Sequence, residues 1–161
     1  MRDVQTIVCP VDFSPTAREA FEVAGALAVS HHARLVVLHV WQANEPLVSF
    51  GRIQVRVRTE QPRSQLWQQL HALQLSDPAV RVEYWLTEGN PADQILEISR
   101  QVHCDLIVMG TRGQTNLRQL PLGSVAERVL RKSGYPVLTV GLPPDDGVRR
   151  EPARDHATAL H

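Results

Sequence analysis

Three runs of consecutive apolar residues, many of them β-branched, constrain this chain most. They are Thr6-Ile7-Val8-Cys9-Pro10-Val11, Leu35-Val36-Val37-Leu38-His39-Val40 and Asp105-Leu106-Ile107-Val108-Met109-Gly110. Runs of this length without polar alternation read as strands buried on both faces, as in a parallel sheet covered by helices. Two further strands are expected: Val80-Arg81-Val82-Glu83-Tyr84-Trp85-Leu86, with period-two alternation, and Pro136-Val137-Leu138-Thr139-Val140.

Helical segments lie between them. Ser14 is a suitable N-cap and Pro15 a suitable first helical residue, because the N–H that proline lacks would have no helical partner anyway. Ala17, Phe21, Ala24, Leu27 and Ala28 then share a stripe that ends near His31-His32. Leu66, Trp67, Leu70 and Leu73 mark a second helix, stopped by Asp77-Pro78. Asn90-Pro91-Ala92-Asp93 repeats the cap-then-proline signal before Ile95, Leu96, Ser99 and Val102. Ser124 and Glu127 fit the spacing of a capping box for a last helix ending about Ser133-Gly134. Strand and helix alternate throughout, the order of an open α/β sheet with helices on both faces.

At 161 residues the chain has the length of one domain, and 43% hydrophobic content suffices for a sizeable core. Lys and Arg total 17 and so do Asp and Glu, a balance that argues against nucleic-acid binding. No apolar run reaches the ~20 residues of a membrane span, and Met1 to Gln5 carries no apolar signal core. A cytoplasmic protein without membrane contact is therefore expected. Cys9 and Cys104 have neither paired spacing nor companion ligands, so a disulfide framework and a zinc site are poor readings. About Gln42 to Gln61 lies an awkward stretch, too long for an ordinary loop, in which Arg52, Arg56 and Arg58 form a basic patch. Residues 142–161, rich in Pro and mixed charge, are expected to be a flexible tail behind a domain spanning 1–141.

In open parallel sheets, ligands bind beyond the carboxyl ends of the strands, where strand order reverses. Asp12 follows the first strand there, and the segment from Gly110 to Ser124 follows the fourth. That segment matches neither G-x-x-x-x-G-K-[ST] nor G-x-G-x-x-G, and the single lysine, Lys132, lies further along. Its chemistry is still that of an anion site: glycines permit close backbone approach, a helix N-terminus follows, and Arg112 offers a bidentate donor. The plainer alternative is that Gly110 and Gly113 serve tight turns and Ser124 only caps its helix. Elsewhere, His31-His32 is expected to complement a helix dipole, and His39 to be a hydrogen-bonded core histidine. His103-Cys104 falls at the opposite sheet end.

The pattern G-x-x-G, nine residues, then G-S resembles the nucleotide-binding branch of the universal stress protein family. Ile7 to Ser14, Leu35 to Val40 and Leu122-Gly123-Ser124-Val125-Ala126-Glu127-Arg128-Val129-Leu130 agree with it, so the similarity covers residues 4–141. The resemblance implies a Rossmann-like sheet of five parallel strands ordered 3-2-1-4-5. It implies ATP as ligand, with ADP or AMP as alternatives, accompanied by Mg or Mn. Adenine and ribose would lie near Pro10, Val11, Asp12 and Val40. The phosphates would lie against Gly110, Arg112, Gly113, Gly123, Ser124 and Val125, with Met109 lining the same pocket. Gln114 and Asn116 depart from the family's frequent basic residue and glycine.

The resemblance also implies a homodimer, here expected through Pro136 to Val140, and a stress-response module reporting nucleotide occupancy to a regulatory protein partner. Two other functions compete. A slow ATPase or autophosphorylating protein suffers from having Asp12 without a lysine or second carboxylate in the motif segment. A nucleotide-free interaction dimer would not need the intact glycine signature.

Overall fold

The computed structural model describes residues 3–43, 47–56, 62–112 and 122–142. The strands are β1 (Thr6–Pro10), β2 (Arg34–Trp41), β3 (Leu47–Phe50), β4 (Ile53–Arg56), β5 (Val82–Glu88), β6 (Leu106–Gly110) and β7 (Val137–Val140). The helices are α1 (Pro15–His31), α2 (Arg63–His71), α3 (Pro91–Gln101) and α4 (Ser124–Lys132).

Five strands form one sheet in the order β5-β2-β1-β6-β7, every neighbouring pair parallel. Counted along the chain within that sheet, this is the expected order 3-2-1-4-5. Chain order reverses beside β1, between a β2–β5 half and a β6–β7 half, which opens a crevice at the carboxyl ends of β1 and β6.

Successive side chains of the central strands enter two separate cores, which explains their unbroken apolar runs. Ile7, Cys9, Leu35, Val37 and Val108 pack with Ala17, Phe21 and Ala24 of α1 and Leu70 of α2. Val8, Val36, Leu38, Ile107 and Met109 pack with Ile95 and Ile98 of α3 and with Ala126 and Val129 of α4. The sheet thus has α1 and α2 on one face and α3 and α4 on the other. Burial of the cores raises both thiols, Cys9 to about 12 and Cys104 to about 11, so neither supplies a thiolate near neutrality.

β5 is an edge strand with the expected alternation: Val82, Tyr84 and Leu86 pack on the first core and Trp85 packs on the second. Two local expectations need correction. Part of the awkward stretch is a two-stranded antiparallel hairpin, with Phe50 opposite Ile53 across Gly51-Arg52. Gly51, at φ 62, supplies the positive φ that this two-residue turn requires at its first central position. Last, the capping box does not form. The N-cap of α4 is Gly123, no side chain bonds there, and Ser124 is the first helical residue. Glu127 instead pairs with Arg131 at 2.8 Å on the exposed face.

Arg58 and the expected tail from 143 onward lie outside the described residues.

Candidate functional site

The crevice at the reversal of strand order is a pocket of about 190 Å³. Of the expected site residues, Pro10, Val11, Asp12, Val40, Met109, Gly110, Arg112, Gly123, Ser124 and Val125 all line it. Gly113, with Gln114 and Asn116, lies outside the described residues. Ala17, Leu38, Pro91, Ile95, Thr111 and Ala126 complete the lining and were not anticipated. All except Thr111 are apolar, and nothing in their local sequence separates them from core residues; only the fold turns them toward the crevice.

One wall is the exit of β1. The amide of Val11 donates to Leu38 O at 2.8 Å, continuing the ladder past the strand's end. Its carbonyl accepts from His39 Nδ1 at 2.7 Å, which fixes the neutral ring with its proton on that nitrogen. Burial lowers the His39 pKa, partly offset by that bond and by the Asp12 charge. The ring also lies 4.5 Å from that of Phe13, centroid to centroid. Phe13 has φ 63, an uncommon conformation for a bulky side chain, and that contact helps to hold it. The turn aims Asp12 into the pocket while its Oδ1 accepts from Ser14 N at 3.0 Å and from the Ser14 hydroxyl. Ser14 in turn caps α1, accepting from Ala17 N at 3.2 Å as its position predicts.

The facing wall runs from the exit of β6 to the start of α4. Thr111 N donates to Val140 O at 2.8 Å, and Thr111 O accepts from Gly123 N at 2.6 Å. These bonds hold Thr111 against β7 and against Gly123 at the pocket. The first helical bond of α4 runs from Glu127 N to Gly123 O at 2.9 Å. The amides of Ser124, Val125 and Ala126 therefore precede the helical ladder, and glycine at the N-cap gives them no side-chain acceptor. Among the described residues no side chain caps these three amides, and at the positive end of a helix dipole, with Arg112 lining the same pocket, they can receive an anion.

Gly110 has a packing role besides lining the pocket. A Cβ on it would lie 2.9 Å from Thr16 Oγ1, 3.0 Å from Thr16 C and 3.1 Å from Ala17 N. Its missing side chain lets α1 pack closely on β6.

Pro10, Val11, Leu38, Val40 and Ile95 give the same pocket an apolar surface suited to a flat ring, and Asp12 adds a carboxylate to the lining. Among the described residues, no group of three or more His, Cys, Asp or Glu could hold a metal ion. No described helix is long and apolar enough to cross a membrane.

Comparison with known proteins places these features in context. The family model for the universal stress protein family matches residues 3–141. Universal stress protein MJ0577 of Methanocaldococcus jannaschii is 29% identical over 152 residues, covering 83% of this chain and 93% of that protein. Its solved structure superposes with a TM-score of 0.65, covering 88% of this chain and 99% of that one. The universal stress protein encoded in the QAH/OAS sulfhydrylase 3' region of Thermus aquaticus is 34% identical over 141 residues, covering 84% and 98% respectively. A universal stress protein solved in complex with cAMP shares the fold, with a TM-score of 0.64 at 24% identity over 87% of this chain and 98% of that one.

Proposed function

The chain belongs to the universal stress protein family, and from that premise we propose that its crevice binds an adenine nucleotide, with ATP as the principal ligand. The observation that carries the reading is the glycine-capped start of α4 in the same pocket as Asp12 and Arg112. A nucleotide presents the matching chemistry: a flat apolar base, ribose hydroxyls and a chain of phosphates. The base would lie on the Pro10, Val11 and Val40 wall, with Met109 behind it. Asp12 would accept from the ribose. Gly110, Arg112, Gly123, Ser124 and Val125 would surround the phosphates, joined by Gly113 from the adjoining segment. The cAMP-bound relative of the same fold is in keeping with this choice of ligand.

A divalent ion, Mg or Mn, would travel on the phosphate oxygens and water, because the described residues offer no protein cage for it. Phosphoryl transfer also needs groups that stabilise charge developing on the transferred phosphoryl. Asp12 is the only carboxylate lining the pocket among the described residues, and no lysine lines it. The site therefore suits reversible binding better than turnover. We propose a regulatory module of the cytoplasm, its occupancy read by a protein partner. The proposal includes a domain over 1–141 and an appended tail over 142–161.

Titration calorimetry with Mg-ATP tests the site. Asp12→Ala should weaken binding about five- to thirtyfold, as expected for loss of a charged acceptor. Circular dichroism should show both proteins folded. An unchanged affinity in the folded variant would remove Asp12 from the site.

The same proposal includes a homodimer through β7. Among the described residues that strand pairs with β6 alone, which leaves its other edge available for strand addition. Leu138 is 39% exposed and Leu142 49% exposed beside that edge. A twofold axis would set β7 antiparallel to its own copy. Sedimentation at micromolar concentration should give a dimer for the parent, and a monomer for Leu138→Asp. A parent that sediments as a monomer would contradict it.

A further inference from the structure

We propose that Thr16 is a positioning residue of this site, holding the entry to the phosphate-facing segment through the Arg112 carbonyl. The inference rests on the nucleotide reading and adds a residue that never touches the ligand.

Thr16 is the second residue of α1 and only 6% exposed. Its hydroxyl is not needed by its own helix, because Ser14 already caps that terminus through Ala17 N. Nor is a buried, β-branched threonine the simplest way to fill apolar space, since its hydroxyl must find a partner. It finds one at the exit of β6: Thr16 Oγ1 donates to Arg112 O at 2.5 Å. Gly110 makes that reach possible, since a Cβ there would lie 2.9 Å from the same oxygen.

The contact ties together the two halves of the site. Ser14 Oγ lies 3.3 Å from Thr16 Oγ1 and 3.5 Å from Arg112 O, while its proton serves Asp12 Oδ1. One hydroxyl thus fixes the carboxylate at the exit of β1, and its neighbour fixes the backbone at the exit of β6. Arg112 directly follows Thr111, whose backbone is clamped to Val140 and Gly123. With the Thr111 backbone and the Arg112 carbonyl both held, the Arg112 side chain starts from a fixed point. Loss of the Thr16 bond releases that point and leaves the ribose side intact.

The test separates phosphate from nucleoside. Thr16→Val keeps the shape and removes the hydroxyl. Its affinity for Mg-ATP should fall about tenfold, the scale of a lost bond to a buried carbonyl, while affinity for adenosine stays within about twofold of the parent. Thr16→Ser should restore ATP binding. Should the valine variant lose its cooperative melt, Thr16→Ala carries the same comparison. Parental ATP affinity in a folded valine or alanine variant overturns the inference. So does an equal loss for ATP and adenosine, which would mark a general structural role. A parent that binds neither ligand overturns the nucleotide reading itself, and the inference with it.

Discussion

Gly123→Asp should make the protein more stable and nearly unable to bind ATP. The backbone at Gly123, φ −73 and ψ 157, already has the extended conformation of a helix N-cap that aspartate favours. A carboxylate there can accept from the first-turn amides of α4 and sit against the positive end of its dipole. The gain over glycine is a few tenths of a kcal/mol from capping, with about 0.3–1 kcal/mol more from the dipole. Those are the amides proposed to receive phosphate. The variant would occupy them internally and set a negative charge where the ligand's charge must come. Two unit charges about 4 Å apart repel by roughly 4 kcal/mol at the effective dielectric of a protein surface. A loss of at least about a hundredfold in ATP affinity follows. Gly123→Asn offers the same cap without the charge and should lose less. Thermal melts and calorimetry on the three proteins check both signs. A folded aspartate variant that binds ATP as tightly as the parent would place the phosphates elsewhere.

Gly110→Ala should have the largest effect on stability among the substitutions considered. Its new methyl would meet Thr16 Oγ1, Thr16 C and Ala17 N at 2.9–3.1 Å, and two of those atoms are backbone. Relief requires α1 to move away from β6, and overpacking of this kind costs about 1–3 kcal/mol. For a chain of this size each kcal/mol lowers the melting temperature by about 2–4 °C. Urea unfolding of the two proteins measures it. An alanine variant as stable as the parent would show that α1 does not bear on this glycine.

The difference between these two glycines shows what was legible in the sequence. Both stood out in one motif, and both were assigned to close approach of phosphate. Gly123 sits at the helix start as that idea requires, although Ser124 and Glu127 had the spacing of a capping box. A serine and a glutamate three apart satisfy that pattern at any register, and the chain uses the preceding glycine as its cap. Gly110 faces α1, a contact between residues more than ninety positions apart that no local pattern encodes.

Legibility of the fold followed burial. β1, β2 and β6 were clear because both their faces enter a core, which leaves a continuous apolar run. β5 was legible through its alternation, since Val82, Tyr84 and Leu86 enter one core and Trp85 the other. The β3–β4 hairpin was missed because its strands have four residues each and contain Ser49, Gln54 and Arg56. Gly51, between two β-branched stretches, was its one usable signal. In the site, residues carrying charge, or glycine in a motif, could be named in advance. Leu38, Pro91, Ile95 and Ala126 could not, because each looks like ordinary core until the crevice is built around it. Thr16 escaped for a related reason: its partner is a backbone carbonyl, which leaves no trace in the identity of residue 112.

The most direct test is to denature the purified protein and identify any small molecule released, with Mg-ATP calorimetry on the emptied, refolded protein alongside. An adenine nucleotide released by the parent and absent from Gly123→Asp, with binding heat in the first and none in the second, is the predicted result. A folded parent that releases no nucleotide and gives no heat with Mg-ATP would contradict the assignment of this crevice as a nucleotide site.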